Sequence, residues 1–338
     1  IDAIEPTQSD GGSMIMSLDG AGAPPMSSGS GLQVLQVAPL GTGRKSLQAA
    51  VVFDKPMVAL SDLDSMTQSV PLRCAPKIAA KVRWAGTSTA VLMPDAKSFP
   101  LATAFTCTVP KGTTSVDGTV LENEIEWTFE TERPRVTGTS IRNGANDIKP
   151  NAPFTVTFNQ PVEPANVGSY ITLRSDSGDI GLAVSAVDEE PNMLEVTPTS
   201  GMVSDARYFL DVALGFNSAL GPLPAEVAHA VEFRTYPPLK IVSFEPVGSP
   251  EPLTEIEVRF STRVSQKIAS EFMTITPAPV DDWEPPGGEW ESTHWSYYLR
   301  LEPQTQYTVT FAAGIVDQFG QALDPAKYSF KTGDFRPW

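Results

Sequence analysis

Residues 126–136 read EWTFETERPRV: an alternating strand, a link broken by proline, then the opening of another alternating run. Nearly the same wording returns as AVEFRTYPPLKIV at 230–242 and as KYSFKTGDF at 327–335. Phe129-x-Thr131, Phe233-x-Thr235 and Phe330-x-Thr332 therefore mark equivalent points about a hundred residues apart. Such a period, once found, organises the rest of the chain.

The agreement extends upstream. KGTTSVDGTVLENEIEWTFET (111–131), LGFNSALGPLPAEVAHAVEFRT (214–235) and AGIVDQFGQALDPAKYSFKT (313–332) each run from glycine through a turn and a leucine to a closing aromatic strand. The openings agree as well: LQVLQVAP with LQAAVVFDKPM, PRVTGTSI with PFTVTFNQPV, LKIVSFEPV with TEIEVRFSTRV. Each gives two short runs that alternate apolar and polar with Pro or Gly between them, the mark of half-buried antiparallel strands. The expected fold is all-β: a tandem array of three immunoglobulin-like antiparallel β-sandwiches of the usual size. The expected domains are 32–133, 134–236 and 237–333, after a Gly/Ser/Pro-rich tether at 1–31 and before the start of a further region at 334–338.

Composition is consistent with this reading. The chain has 338 residues, long enough for three such units, and its 31 prolines punctuate strands and links such as Glu132-Arg133-Pro134 and Tyr236-Pro237-Pro238. Links this short are expected to join the domains end to end as a stiff rod. A formal net charge of −16 repels phosphate backbones and anionic lipid, which argues against nucleic acid and membrane surfaces as partners. No apolar run approaches the length of a membrane span. Residues 1–31, ending GAGAPPMSSGSG, lack the apolar surface to order themselves, and only MIMSL at 14–18 offers a segment to dock on the first domain.

Three stretches align without a gap on Gly112, Gly215 and Gly314: PLATAFTCTVPKG, VSDARYFLDVALG and EPQTQYTVTFAAG. Phe105, Tyr208 and Tyr307 then coincide where sandwich folds carry a tyrosine whose hydroxyl bonds back to the upstream backbone; Phe105 has no hydroxyl to do so. Cys107 falls with Leu210 and Val309. Setting Pro76 of VPLRCAP over Pro277 of MTITPAP places Cys74 over Ile275. Both cysteines thus point into the first core, and two readings stand. In an oxidising compartment they bridge, worth roughly 3–4 kcal/mol on the loop-entropy account; otherwise they are two free thiols packed as small hydrophobes.

Candidates for chemistry are few. His229 and His294 lie in different repeats, which leaves no multi-histidine metal site and no visible grouping of nucleophile, base and orienting group. No catalytic residue, cofactor or enzyme activity is expected. Asp117 in SVDGTVL and Asp317 in IVDQFGQAL are weak calcium candidates, set against the commoner use of such aspartates to bond their own turn. The segment DDWEPPGGEWESTHWSYY (281–298) crowds Trp283, Trp290, Trp295, Tyr297 and Tyr298 among acids and glycines. Exposed, these rings would stack on a glycan or anchor a protein partner; the competing reading makes some of them core, as Trp84 of KVRWAGTSTAVLMP is expected to be.

From VVFDKPMVALSDLD through VRWAGTSTAVLMPDAKSFPLATAFTCTVPKGTTSVDGTVLENEIEWTFETERPRV to FTVTFNQPVEP, the chain resembles the amino-terminal Ig-like region of bacterial alpha-2-macroglobulins. The resemblance covers about residues 32–235 well and 236–335 more loosely, and repeats of this style also occur in surface-layer and adhesion proteins. It implies an exported, cell-envelope protein of the protease-inhibitor class, periplasmic or held by an amino-terminal lipoprotein anchor, that traps proteases after bait cleavage, often through a Cys-x-Glu-Gln thioester. Cys74 precedes Ala-Pro-Lys and Cys107 precedes Thr-Val-Pro, so neither matches that motif. On this resemblance the chain is a spacer fragment whose partners are the downstream domains of the same protein and, through them, proteases. The alternative it leaves open is a surface array binding a glycan or a protein through segment 283–298.

Overall fold

A computed structural model describes residues 30–59, 70–199, 201–247, 253–280 and 288–334. The expected tether up to residue 29, Trp283 and residues 335–338 lie outside the described residues.

The first domain contains β1 (Val34–Ala38), β2 (Gly41–Arg44), β3 (Ala49–Phe53), β4 (Arg73–Ala75), β5 (Ala80–Trp84), β6 (Thr89–Pro94), β7 (Ala104–Val109) and β8 (Ile125–Thr131). They form two sheets, ordered β1-β3-β6-β5 and β2-β8-β7-β4. Alternate residues of both sheets fill one core, with Val51, Trp84, Phe99, Phe105, Cys107, Trp127 and Phe129 buried. The expected role of Trp84 holds; it is 5 % exposed and packs 6.1 Å from the Phe53 ring.

The second domain continues with β9 (Val136–Thr139), β10 (Ala145–Ile148), β11 (Phe154–Phe158), helix α1 (Pro164–Val167), β12 (Ile171–Ser175), β13 (Gly178–Ile180), β14 (Leu182–Val187), β15 (Glu190–Pro198), β16 (Arg207–Val212) and β17 (His229–Thr235). Its sheets are β14-β15-β11-β9 and β10-β17-β16-β12-β13. The third has β18 (Ile241–Val247), β19 (Leu253–Ser265), α2 (Gln266–Glu271), β20 (Met273–Thr276), β21 (Glu291–Arg300), β22 (Gln306–Phe311) and β23 (Ala326–Lys331), in sheets β18-β19-β21 and β20-β22-β23.

The architecture is thus the expected all-β tandem of sandwiches, with one amendment to its antiparallel character. In the first two domains the chain crosses between sheets after its opening strand, so β2 runs parallel to β8 and β10 parallel to β17. Both crossing strands have four residues and little alternation, so the sequence pattern did not separate them from turns.

The repeated Phe-x-Thr has a common physical cause. Each threonine closes its last strand at the corner leading into the aromatic strand. The Oγ1 of Thr131, Thr235 and Thr332 accepts from the backbone N–H of Thr103, Ala206 and Thr305 at 2.9, 3.1 and 2.9 Å. The same hydroxyls donate to the carbonyls of Pro100, Val203 and Glu302 at 2.7, 2.7 and 2.6 Å. Between these contacts Ala102, Asp205 and Gln304 adopt positive φ of 51°, 58° and 48°, and their N–H groups donate to the carbonyls of Glu132, Tyr236 and Gly333. Buried backbone groups of a tight corner need partners, and one threonine supplies both a donor and an acceptor.

Candidate functional site

The tyrosine corner is present in two domains. Tyr208 Oη accepts from Val203 N–H at 2.8 Å and Tyr307 Oη from Glu302 N–H at 2.9 Å. The first domain lacks both halves of the bond: Phe105 has no hydroxyl, and five residues upstream Pro100 has no N–H. The paired loss leaves no buried donor stranded.

Cys74 and Cys107 form a disulfide, with Cα atoms 4.0 Å apart. They are direct cross-strand partners within one sheet, between β4 and β7. The bond therefore braces a single sheet; the inter-sheet bridge of antibody domains joins two. Cys107 is fully buried and Cys74 half-buried against the same core.

Each candidate aspartate spends Oδ1 on its own loop and Oδ2 at least partly on a distant side chain. Asp117 Oδ1 accepts from Ser115 Oγ, Thr119 N–H and Thr119 Oγ1, and Oδ2 lies 3.0 Å from Lys55 Nζ. These contacts, the Ser115 bond foremost, hold its carboxyl well below the usual carboxylate range. Asp317 Oδ1 accepts from the N–H of Phe319 and Gln321, and Oδ2 from Thr262 Oγ1 and Gln321 Nε2. Among the described residues no group of three or more metal-ligating side chains gathers.

The aromatic segment divides by strand parity. On β21, Trp295 and Tyr297 face Val258 and Ile256 inside the sandwich, so these two follow the core reading and leave the candidate surface, a correction to their place among its five candidate rings. Trp295 Nε1 donates to the Val264 carbonyl at 3.0 Å. Tyr297 is fully buried, and burial pushes its hydroxyl up to about 12, partly opposed by a hydrogen bond with Ser270. Trp290 and Tyr298 remain outside, 74 % and 58 % exposed. The Tyr298 hydroxyl is tied to Glu255 directly across the ladder, which raises its titration point through that bond and the adjacent charge. Beside it His294 Nε2 lies 3.3 Å from Glu257, while His229 opens β17 opposite Val212.

The sequence located the links between domains but not the contacts made across them. At the first, Leu223 N–H donates to the Ala102 carbonyl at 2.8 Å and Arg133 reaches the Pro224 carbonyl at 3.2 Å and Glu226 at 3.3 Å. A side chain at Gly221 would collide with the carbonyls of Leu101 and Ala102. At the second, the Tyr236 ring stacks on Phe319 at 4.1 Å and Gln321 Nε2 donates to the Pro237 carbonyl at 3.0 Å. Burial, then the nearby Asp317 charge, raises the Tyr236 hydroxyl. A cleft of about 490 Å³ opens here, walled by Asp147, Asp205, Arg234, Arg263 and Phe319. Arg234 is paired with Asp205 at 3.2 Å, so the walls carry mixed charge and no field of one sign.

Comparison with known proteins adds family context. The bacterial Ig-like domain family matches twice, over residues 130–235 and 237–332. The chain is 23 % identical over 339 residues to an alpha-2-macroglobulin homolog of Nostoc sp., covering 88 % of this chain and 18 % of that protein. It thus spans less than a fifth of that relative. Among solved structures, the MG0-NIE-MG1 region of native Escherichia coli alpha-2-macroglobulin is 9 % identical with a TM-score of 0.25, covering 90 % of this chain and 97 % of that one. The mouse nectin-like molecule 4 ectodomain (Ig1-Ig3) is 10 % identical with a TM-score of 0.30, covering 87 % and 97 %.

Proposed function

This chain belongs to the bacterial Ig-like domain family, and from that premise we propose that it is the non-catalytic scaffold of an alpha-2-macroglobulin-like, protease-trapping protein of the cell envelope. The observation that carries the reading is the similarity to the Nostoc homolog across 88 % of the chain. The Cys74–Cys107 disulfide supports an exported location, since such bonds persist in oxidising compartments. In this role the three sandwiches set distance and orientation, and the trapping chemistry belongs to other parts of the larger protein. The test is an endopeptidase assay with a bulky protein substrate. This chain alone is expected to leave the rate unchanged, while the full-length protein suppresses it. Inhibition by this chain alone would overturn the scaffold reading.

A second reading rests on Trp290, the most exposed large apolar side chain of the described residues. A surface-binding array would use Trp290 and Tyr298 as contacts for a glycan or a protein. Trp290→Ala would then abolish retention on immobilised cell-wall glycan without shifting the unfolding midpoint. Unchanged retention, or none by the parent chain, removes this reading.

A further inference from the structure

We propose that the open edge of β23 docks an extended strand of another polypeptide, one with small or branched apolar residues at alternate positions and carboxylates between them. The inference is independent of the scaffold reading. It comes from comparing three copies of one sheet. In the first domain β2 lies parallel along β8, pairing Gly41 with Phe129 and Arg44 with Thr131. In the second, β10 lies along β17, pairing Ala145 with Phe233 and Ile148 with Thr235. There the outward backbone groups of β17 are occupied: Glu232 O accepts from Gly144 N–H at 2.7 Å, Glu232 N–H donates to Asn143 Oδ1 at 2.8 Å, and Tyr236 N–H donates to Ile148 O at 3.1 Å.

The third domain has no such strand among its described residues; β23 ends the order β20-β22-β23. Chain length gives the reason. Residues 39–48 and 140–153 separate the first two strands of the sandwich sheets in domains one and two, but only 248–252 separate β18 from β19, whose ends already pair Val247 with Glu255. β18 and β19 thus pair directly within one sheet, and the five residues of chain between them are too few to supply a crossing strand like β2 or β10. The side chains record the missing cover. Trp127, Phe129, Val231 and Phe233 are 5, 1, 3 and 1 % exposed, whereas their counterparts Tyr328 and Phe330 are only half-buried. A strand edge left uncovered among the described residues, with half-buried aromatic rings behind it, is the substrate of strand addition.

Charge selects the occupant. Lys327 and Lys331 of β23 are exposed and form no ion pair among the described residues. Pairing β23 with a second copy of itself brings these lysines together, whereas an acidic strand meets opposite charge at both.

The test is an NMR titration of the whole chain with an acetylated, amidated Asp-Val-Glu-Ile-Asp-Val-Glu peptide, and with its analogue carrying Lys at every acidic position. The acidic peptide is expected to shift and slow exchange of the Ser329, Lys331 and Gly333 amides, and the Lys327→Glu/Lys331→Glu variant to weaken it at least about fivefold. Equal binding of the lysine analogue, shifts away from β23, no shifts at millimolar peptide, or self-association through β23 in sedimentation would each overturn the proposal.

Discussion

Cys74 and Cys107 face one another across β4 and β7 at the cross-strand position that Leu173 and Leu210 fill in the second domain and Ile275 and Val309 in the third. One structural slot therefore accepts either a covalent bond or a packed aliphatic pair. The first domain, with Phe105 and Pro100 in place of the tyrosine corner, is the one that carries the bond.

Cys74→Ile/Cys107→Val should convert this slot to that of the third domain. The variant is expected to fold and to lose about 3 kcal/mol in the first domain's transition, the constraint of the closed loop. Calorimetry of the whole chain checks it; an unchanged first transition would mean that the bond adds nothing beyond packing.

Thr235→Val removes the hydroxyl that joins Ala206 N–H to the Val203 carbonyl. With Thr235 buried, the loss should be about 1–3 kcal/mol, and Thr235→Ser should recover most of it. Equal losses in the two variants would place the threonine's value in its methyl group.

Phe105→Tyr should not stabilise the first domain, because Pro100 offers no N–H to the new hydroxyl. Destabilisation of about 1–3 kcal/mol is expected from a buried unpaired group. A gain in thermal midpoint would show that the corner finds another donor.

Alkaline pH should weaken the third domain through Tyr297. Its folded titration point, about 12, lies above the ordinary value near 10. The associated stability is complete below the ordinary value and is lost as pH rises through about 12. Tyr297→Phe should flatten that decline in urea midpoints measured between those limits; an unaltered slope would assign the decline to other groups.

Much of this was legible in the chain. Phe-x-Thr and the gap-free alignment on Gly112, Gly215 and Gly314 located the corners because a buried turn tolerates few residue types. The crossing strands β2 and β10 were not legible, being short and weakly alternating. Segment 281–298 could not be divided into core and surface from the sequence: aromatic residues at adjacent positions hide parity, and only the register with Ile256 and Val258 separates buried Tyr297 from exposed Tyr298. The links were legible but the contacts across them were not, because Gly221 and Phe319 gain meaning from the neighbouring domain.

A scaffold must hold its parts in fixed relation, so the most direct measurement is residual dipolar couplings across the three domains, for the parent chain and for Gly221→Ala and Phe319→Ala. The account expects one alignment tensor to fit all three domains of the parent, with the first domain released by Gly221→Ala and the third by Phe319→Ala. Independent tensors in the parent chain would contradict it, because domains that reorient freely cannot set the position of anything beyond them.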